Sequence, residues 1–226
     1  MRLVLAHDYD ITARELAARW GSEAVLLTPA ELSSEHLLLH LDERGAAQAE
    51  VSSRPGVTSV LTRLGGISAA DLPQVNAQDA VYAAAELDAF LHAWLGVWPG
   101  PVINRPSTTC LNGPGWRPEQ WVVAATAVGL RARPIRRRAT LTDMPDDDPY
   151  GGTTVDATRV TVVGGNWFGP VNEEIGHKLC ILADAVGCSI LEADLVDDVI
   201  TQVSAWPDLT PPHVADALAR VLDGTP

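Results

Sequence analysis

The sequence is poor in cysteine, poorer still in lysine, and has no long apolar run. Its three cysteines, Cys110, Cys180 and Cys188, are odd in number and include no CxxC pair. That argues against a disulfide framework and against a thiolate zinc site. Cys180 and Cys188 lie in or beside apolar stretches and read as small buried hydrophobes. Lys178 is the only lysine, and the formal net charge is −13. Binding to nucleic acid or to an anionic membrane needs a cationic face, so neither is expected as a partner. The single basic cluster, Arg131, Arg133, Arg136, Arg137 and Arg138, is followed by the acidic run 143–148 and reads as compensating charge. No apolar stretch approaches the roughly 18 residues that cross a bilayer. The first residues are too few for a signal peptide and read as a strand, so a cytoplasmic location is expected. Ser-His-Asp, P-loop, GxGxxG and HExxH patterns are all missing.

What is present is a globular composition: 226 residues, 46% apolar and 20% charged. This suffices for one large domain or two small ones with a core. Residues 2–6 read as a strand, 11–20 as a helix capped by Asp10, and 24–27 as a second strand. Segments 37–41 and 49–53 flank a turn containing Gly45 and read as a hairpin, with a further strand at 57–61. His36 and His40 therefore fall on or beside a strand, which argues against a helical metal pair. Asn76 is placed to cap a helix over 77–95, whose buried stripe is Leu87, Phe90, Leu91, Trp94 and Leu95. A short strand at 102–104 precedes a Gly/Pro-rich loop, and Pro118 opens a helix closed by Gly129. Residues 132–136 read as a strand. The segment 143–152 holds four aspartates, two prolines and two glycines and reads as a loop. Beyond it come a strand at 158–163, a return at 166–168, a helix over 172–186, a hairpin around Asp197-Asp198, and a last helix over 213–222.

Three stretches carry a resemblance. Pro101-Val102-Ile103-Asn104-Arg105-Pro106-Ser107 resembles the "VNRP" strand and loop that ends the pre-ATP-grasp domain of ATP-grasp carboxylate-amine ligases. The similarity is to the branch of ribosomal-protein glutamate ligases and graspetide macrocyclising ligases. Thr158-Arg159-Val160-Thr161-Val162-Val163-Gly164-Gly165 is similar to the "DxRVxVVG" strand of the large lobe. Asp194-Leu195-Val196, with Val199-Ile200-Thr201-Gln202-Val203-Ser204-Ala205-Trp206-Pro207, is similar to the family's "VDL" and "EVNxxP" elements. The resemblance implies an α/β fold: a pre-ATP-grasp mixed-sheet unit over 1–97, then a truncated ATP-grasp large lobe over 98–226 that includes the acidic loop 143–152.

The resemblance also implies losses. About 25 residues separate Ile135 from Val160, whereas the family places a small nucleotide-clamping lobe with phosphate-binding lysines there. A strand alone takes about 5–6 residues, and only Arg136, Arg137 and Arg138 offer a phosphate grip. The family holds Mg²⁺ with an acidic residue followed by Glu and Asn. Here Gln202 stands for the Glu, Ser204 for the Asn, and Asp194 alone keeps its charge, with Asp156 out of register. Hard cations need anionic oxygens at fixed positions. The expectation is therefore a catalytically degenerate pseudoenzyme with no cofactor, acting in protein–protein interaction. It would be a binding subunit or scaffold for a full-length ATP-grasp ligase or a peptide substrate, or a homodimer. The alternative is a minimal carboxylate-amine ligase using ATP and Mg²⁺.

The ligand-binding candidates are Asn104, Arg105, Ser107, Trp116, Arg159, Asp194, Gln202, Ser204 and Trp206, with no metal ligand assigned. Asn104, Arg105 and Ser107 can form a pocket for a small carboxylate, since the Arg fork suits bidentate contact. Arg105 and Arg159 can equally well pair with the acidic C-terminal half. Trp116 and Trp206 lie in loops, where they can line a pocket or an interface.

Overall fold

A computed structural model describes residues 1–135 and 157–225. Arg136, Arg137, Arg138, Asp156 and the acidic loop 143–152 lie outside the described residues.

The N-terminal elements are β1 (Arg2–Ala6), α1 (Ile11–Trp20), β2 (Ala24–Leu27), α2 (Pro29–Leu32), β3 (Leu37–Leu41), β4 (Ala47–Val51), β5 (Ser59–Arg63), α3 (Ala80–Gly96) and β6 (Val102–Ile103). The Asp10 carboxylate accepts from the Ala13 N–H at 2.9 Å and starts α1 as expected. The single turn of α2 is closed by a capping box: the Thr28 hydroxyl accepts from the Glu31 N–H, and the Glu31 carboxylate accepts from the Thr28 N–H. Asn76 does not cap α3 directly. Its backbone carbonyl accepts from Asp79 and Ala80 in a preceding turn, so the helix starts at Ala80.

The C-terminal elements are α4 (Pro118–Ala127), β7 (Arg131–Ala132), β8 (Thr158–Val163), β9 (Asn166–Phe168), α5 (Glu173–Ala185), β10 (Ile190–Val196), β11 (Val199–Ser204) and α6 (Pro212–Leu222). Asn172 caps α5 through the Ile175 N–H. The β10–β11 turn puts Asp197 at φ 50° and Asp198 at φ 62°, a left-handed pair that matches the twist of a tight hairpin.

The first sheet has the order β2-β1-β5-β6 and is parallel throughout; β3 and β4 form a separate antiparallel pair. The mixture of strand directions in the N-terminal unit thus comes from two sheets side by side. The first sheet also takes its fourth strand from beyond residue 97. β1 and β5 are buried along their whole length, as strands covered on both faces must be. The Trp94 indole N–H donates to the carbonyls of Leu38 and Glu50 and pins the hairpin to α3.

The second sheet has the order β7-β11-β10-β8-β9, parallel only at β7–β11. One face buries Val160, Val162, Leu191, Ala193 and Val203 against α4 and α5. On the other side, α6 packs Val214, Leu218 and Leu222 into a core shared with Val4, Leu61 and Ile103 of the first sheet and Val163 and Ile190 of the second. α6 is thus the wedge that joins the two sheets.

Candidate functional site

Alternation along a strand sends residues 190, 192 and 194 to one face and 191, 193 and 195 to the other. The register sets Arg159 opposite Asp194 and Asp194 opposite Gln202, and in the next row Thr161 opposite Glu192 and Glu192 opposite Ser204. Two polar rows therefore cross β8, β10 and β11 on the face away from α4 and α5. The same face continues through Val163 and Ile190 into the core under α6, so it is apolar at one end and charged at the other.

The charged end is organised by Arg159. Its Nε and terminal nitrogen grip the two oxygens of Asp194 at 2.9 and 3.3 Å. Its Nε also stands 3.4 Å from Glu192 Oε1. The carboxylates are mostly buried, at 16% and 12% side-chain exposure, while the arginine is 58% exposed. The hydrogen bond to Asp194 and the charge of Glu192 push the Arg159 guanidinium up from its ordinary value. Burial pushes the Glu192 carboxyl up, opposed by the Asp208 N–H, which donates to it at 3.1 Å. A bulge after Asp194 frees Thr201, whose hydroxyl donates to the Asp194 carbonyl at 3.0 Å.

A second wall comes from the carboxyl ends of the parallel strands, where open α/β sheets form their crevices. Arg63 ends β5 and is almost fully buried. It pairs with Asp10 at 2.7 Å, donates to the Pro207 carbonyl at 3.1 Å and lies 5.7 Å from the Trp206 ring. Trp206 is 39% exposed and passes over Gly65, where a Cβ would come within 3.7 Å of the indole. Beyond Asp10, His7 stacks on Tyr9 at 4.9 Å and meets Asp71 at 3.1 Å.

Of the residues singled out in the sequence, the structure brings Arg159, Asp194, Gln202, Ser204 and Trp206 to this region. The Ser204 hydroxyl accepts from the Trp206 N–H at 3.0 Å, and Gln202 is exposed beside Asp194. The other four lie elsewhere. Asn104 is fully buried; its amide donates to the Ile190 carbonyl and accepts from the Ser189 and Ile190 N–H groups at 2.8 to 3.0 Å. Asn112 accepts from the Asn104 N–H and donates to the Ala205 carbonyl. Gly113, at φ 81°, lies so close that a Cβ would stand 2.9 Å from Asn104 Cβ. Arg105 donates to the carbonyls of Leu95, Gly96 and Gly100 and closes the end of α3. Ser107 accepts from the Thr109 N–H in a local turn, and Trp116 packs on Trp121 at 5.0 Å. Sequence reading missed Glu192, Asp208 and Arg63. Glu192 had a usable signal: Glu-Ala-Asp on a strand places both acids on one face.

The donor set does not suit a divalent cation bridging phosphates. Asp194 is held bidentately by a guanidinium, Gln202 is neutral, and the Ser204 oxygen already accepts a hydrogen bond. Among the described residues, no group of three or more His, Cys, Asp or Glu side chains is placed to hold a metal ion, and no helix is long and apolar enough to cross a membrane.

No family model matches the sequence, and no curated protein matches it. Solved structures do match. A Chryseobacterium gregarium RiPP-associated ATP-grasp ligase, in complex with ADP and a leader and core peptide, aligns over 100% of this chain and 97% of its own, at TM-score 0.63 and 12% identity. The macrocyclase MdnC from Microcystis aeruginosa MRC, bound with precursor peptide MdnA, aligns over 99% of each chain at TM-score 0.62 and 12% identity. The ATP-grasp ligase PsnB, complexed with minimal precursor, Mg and ADP, aligns over 97% of each chain at TM-score 0.58 and 16% identity. The chain therefore has an ATP-grasp-like fold.

Proposed function

We propose that this chain is a catalytically degenerate ATP-grasp-like protein that binds a peptide segment on the Arg159–Trp206 face and does not run the ligase reaction. The observation that supports this reading is the seating of Arg159 between Asp194 and Glu192. A fixed guanidinium there supplies the positive charge that a divalent cation would otherwise bring, and it repels such a cation. Gln202 and Ser204 offer no compensating anionic oxygen. The chain needs no cofactor in this reading.

Peptide binding is favoured by the crevice itself. It combines an exposed tryptophan, an exposed guanidinium and flanking carboxylates, the mixture that recognition surfaces use. The structural neighbours were solved with precursor peptides. A second copy of this chain, or a complete ligase, would present such a segment and cover the face.

Calorimetric titration with ATP and Mg²⁺, together with an ADP-release assay across amino acids and short peptides, tests the proposal. The expected result is no saturable heat and no ADP. Micromolar nucleotide binding, or ADP release lost in Arg159→Ala, would establish a minimal carboxylate-amine ligase instead.

A further inference from the structure

The trough between β9 and α6 lies away from the Arg159 end of the sheet and has a chemistry of its own. β9 is the outermost strand: it pairs with β8 through Asn166, Trp167 and Phe168, and among the described residues no strand lies on its other side. Among the described residues, its outer edge therefore offers unpaired backbone groups. Beside that edge is a hollow of about 430 Å³ lined by Asn166, Trp167, Phe168, Ala217, Arg220 and Val221. The helix runs opposite to the strand. Gly164, just before β9, abuts the Val221 side chain so closely that a Cβ there would collide with it, whereas Phe168 lies 5.4 Å from His213 at the start of α6. Arg220 thus stands at the Asn166 end.

Arg220 is exposed and lacks a carboxylate partner among the described residues. Its acidic neighbours at helical spacing are already engaged: Asp216 pairs with Arg19 at 2.9 Å and Asp223 with Arg2 at 2.8 Å. On a chain of net charge −13, a guanidinium with no carboxylate partner among the described residues, at the end of an aromatic trough, is a specific attractor for an anion.

We infer that this trough binds the carboxyl terminus of an extended peptide. The peptide adds antiparallel to β9, its terminal carboxylate pairs with Arg220, and an apolar side chain packs between Phe168 and Ala217. The edge has only three residues, too few to pair with a long strand and enough for a chain end. Backbone pairing supplies affinity, and the terminal charge sets register and direction.

The test uses the full chain labelled with ¹⁵N and a fluorescein-tagged peptide, Ser-Val-Thr-Val-Ser-Leu, with a free carboxyl terminus. Its C-terminal amide and the Arg220→Gln protein serve as comparisons. The expected result is amide shifts at Asn166, Trp167, Phe168, Ala217 and Arg220, with affinity lowered about tenfold both by amidation and by Arg220→Gln. Arg220 is on the surface, so the variant will fold, and its spectrum confirms that directly. Equal binding of the amide, shifts confined to other elements, or no saturable binding up to about millimolar peptide would overturn the inference.

Discussion

The two sheets of this molecule treat their faces differently. In the parallel sheet, α3 and the β3–β4 hairpin cover one side while α1 and α6 cover the other, and β1 and β5 carry no exposed residue. In the second sheet, α4 and α5 cover one side, but the other is closed only as far as Ile190 and Val163. Beyond them it carries Glu192, Asp194, Arg159 and Gln202. A doubly covered sheet is scaffold, since every side chain is committed to packing. A sheet covered on one face and half of the other keeps a polar surface of fixed register, the condition for recognition.

The comparison is open to direct attack. The largest effect should come from the scaffold: Leu61→Ala removes a fully buried side chain and should lower stability by about 3 kcal/mol in urea denaturation. A loss below about 1 kcal/mol would show that the parallel sheet tolerates a void. Arg159→Ala should cost under about 1 kcal/mol, because the arginine is largely solvated. It should instead leave Asp194 and Glu192 unneutralised and let Mg²⁺ or Mn²⁺ bind in the millimolar range, read by calorimetry or by Mn²⁺-induced relaxation. A variant still indifferent to divalent cations would mean that Arg159 is not what excludes them. The smallest effect is a slope. Burial raises the Glu192 carboxyl above its ordinary 4.5, so folding favours its protonated form. The stability this contributes is present below the unfolded value and is lost as pH rises through the raised folded value. Glu192→Gln should flatten the wild-type decline on the alkaline side of pH 4.5, followed by urea midpoints; parallel curves would contradict it.

Much of the fold was legible because its signals are local. Asp10, Pro118 and Asn172 mark helix starts within a few residues of the groups they serve, and the β10–β11 turn is written in two adjacent aspartates. The short α2 was equally local, in Thr28 and Glu31, but one turn has too little periodicity to register. The motif resemblance singled out Arg159, Asp194, Gln202 and Ser204, and the register sets Arg159 opposite Asp194 and Asp194 opposite Gln202. The second wall was not legible, because Arg63 of the first sheet meets Pro207 through a contact that only the packing of two sheets creates. Asn104 and Arg105 have the chemistry of a carboxylate pocket when read as text. In three dimensions their donors are taken up by backbone carbonyls, which a chain ending one helix and entering another sheet supplies in plenty.

Asn104 grips the chain where β10 begins, and Asn112, in the same loop, holds Ala205 just after β11 ends. One loop therefore anchors the hairpin at both of its feet, inside the protein and out of reach of water. Fastened in this way, the hairpin is held to the loop after β6 at its start and at its end. Under the proposed function, a peptide that settles beside Asp194 and Ser204 would meet a β10–β11 surface already tied down at both ends.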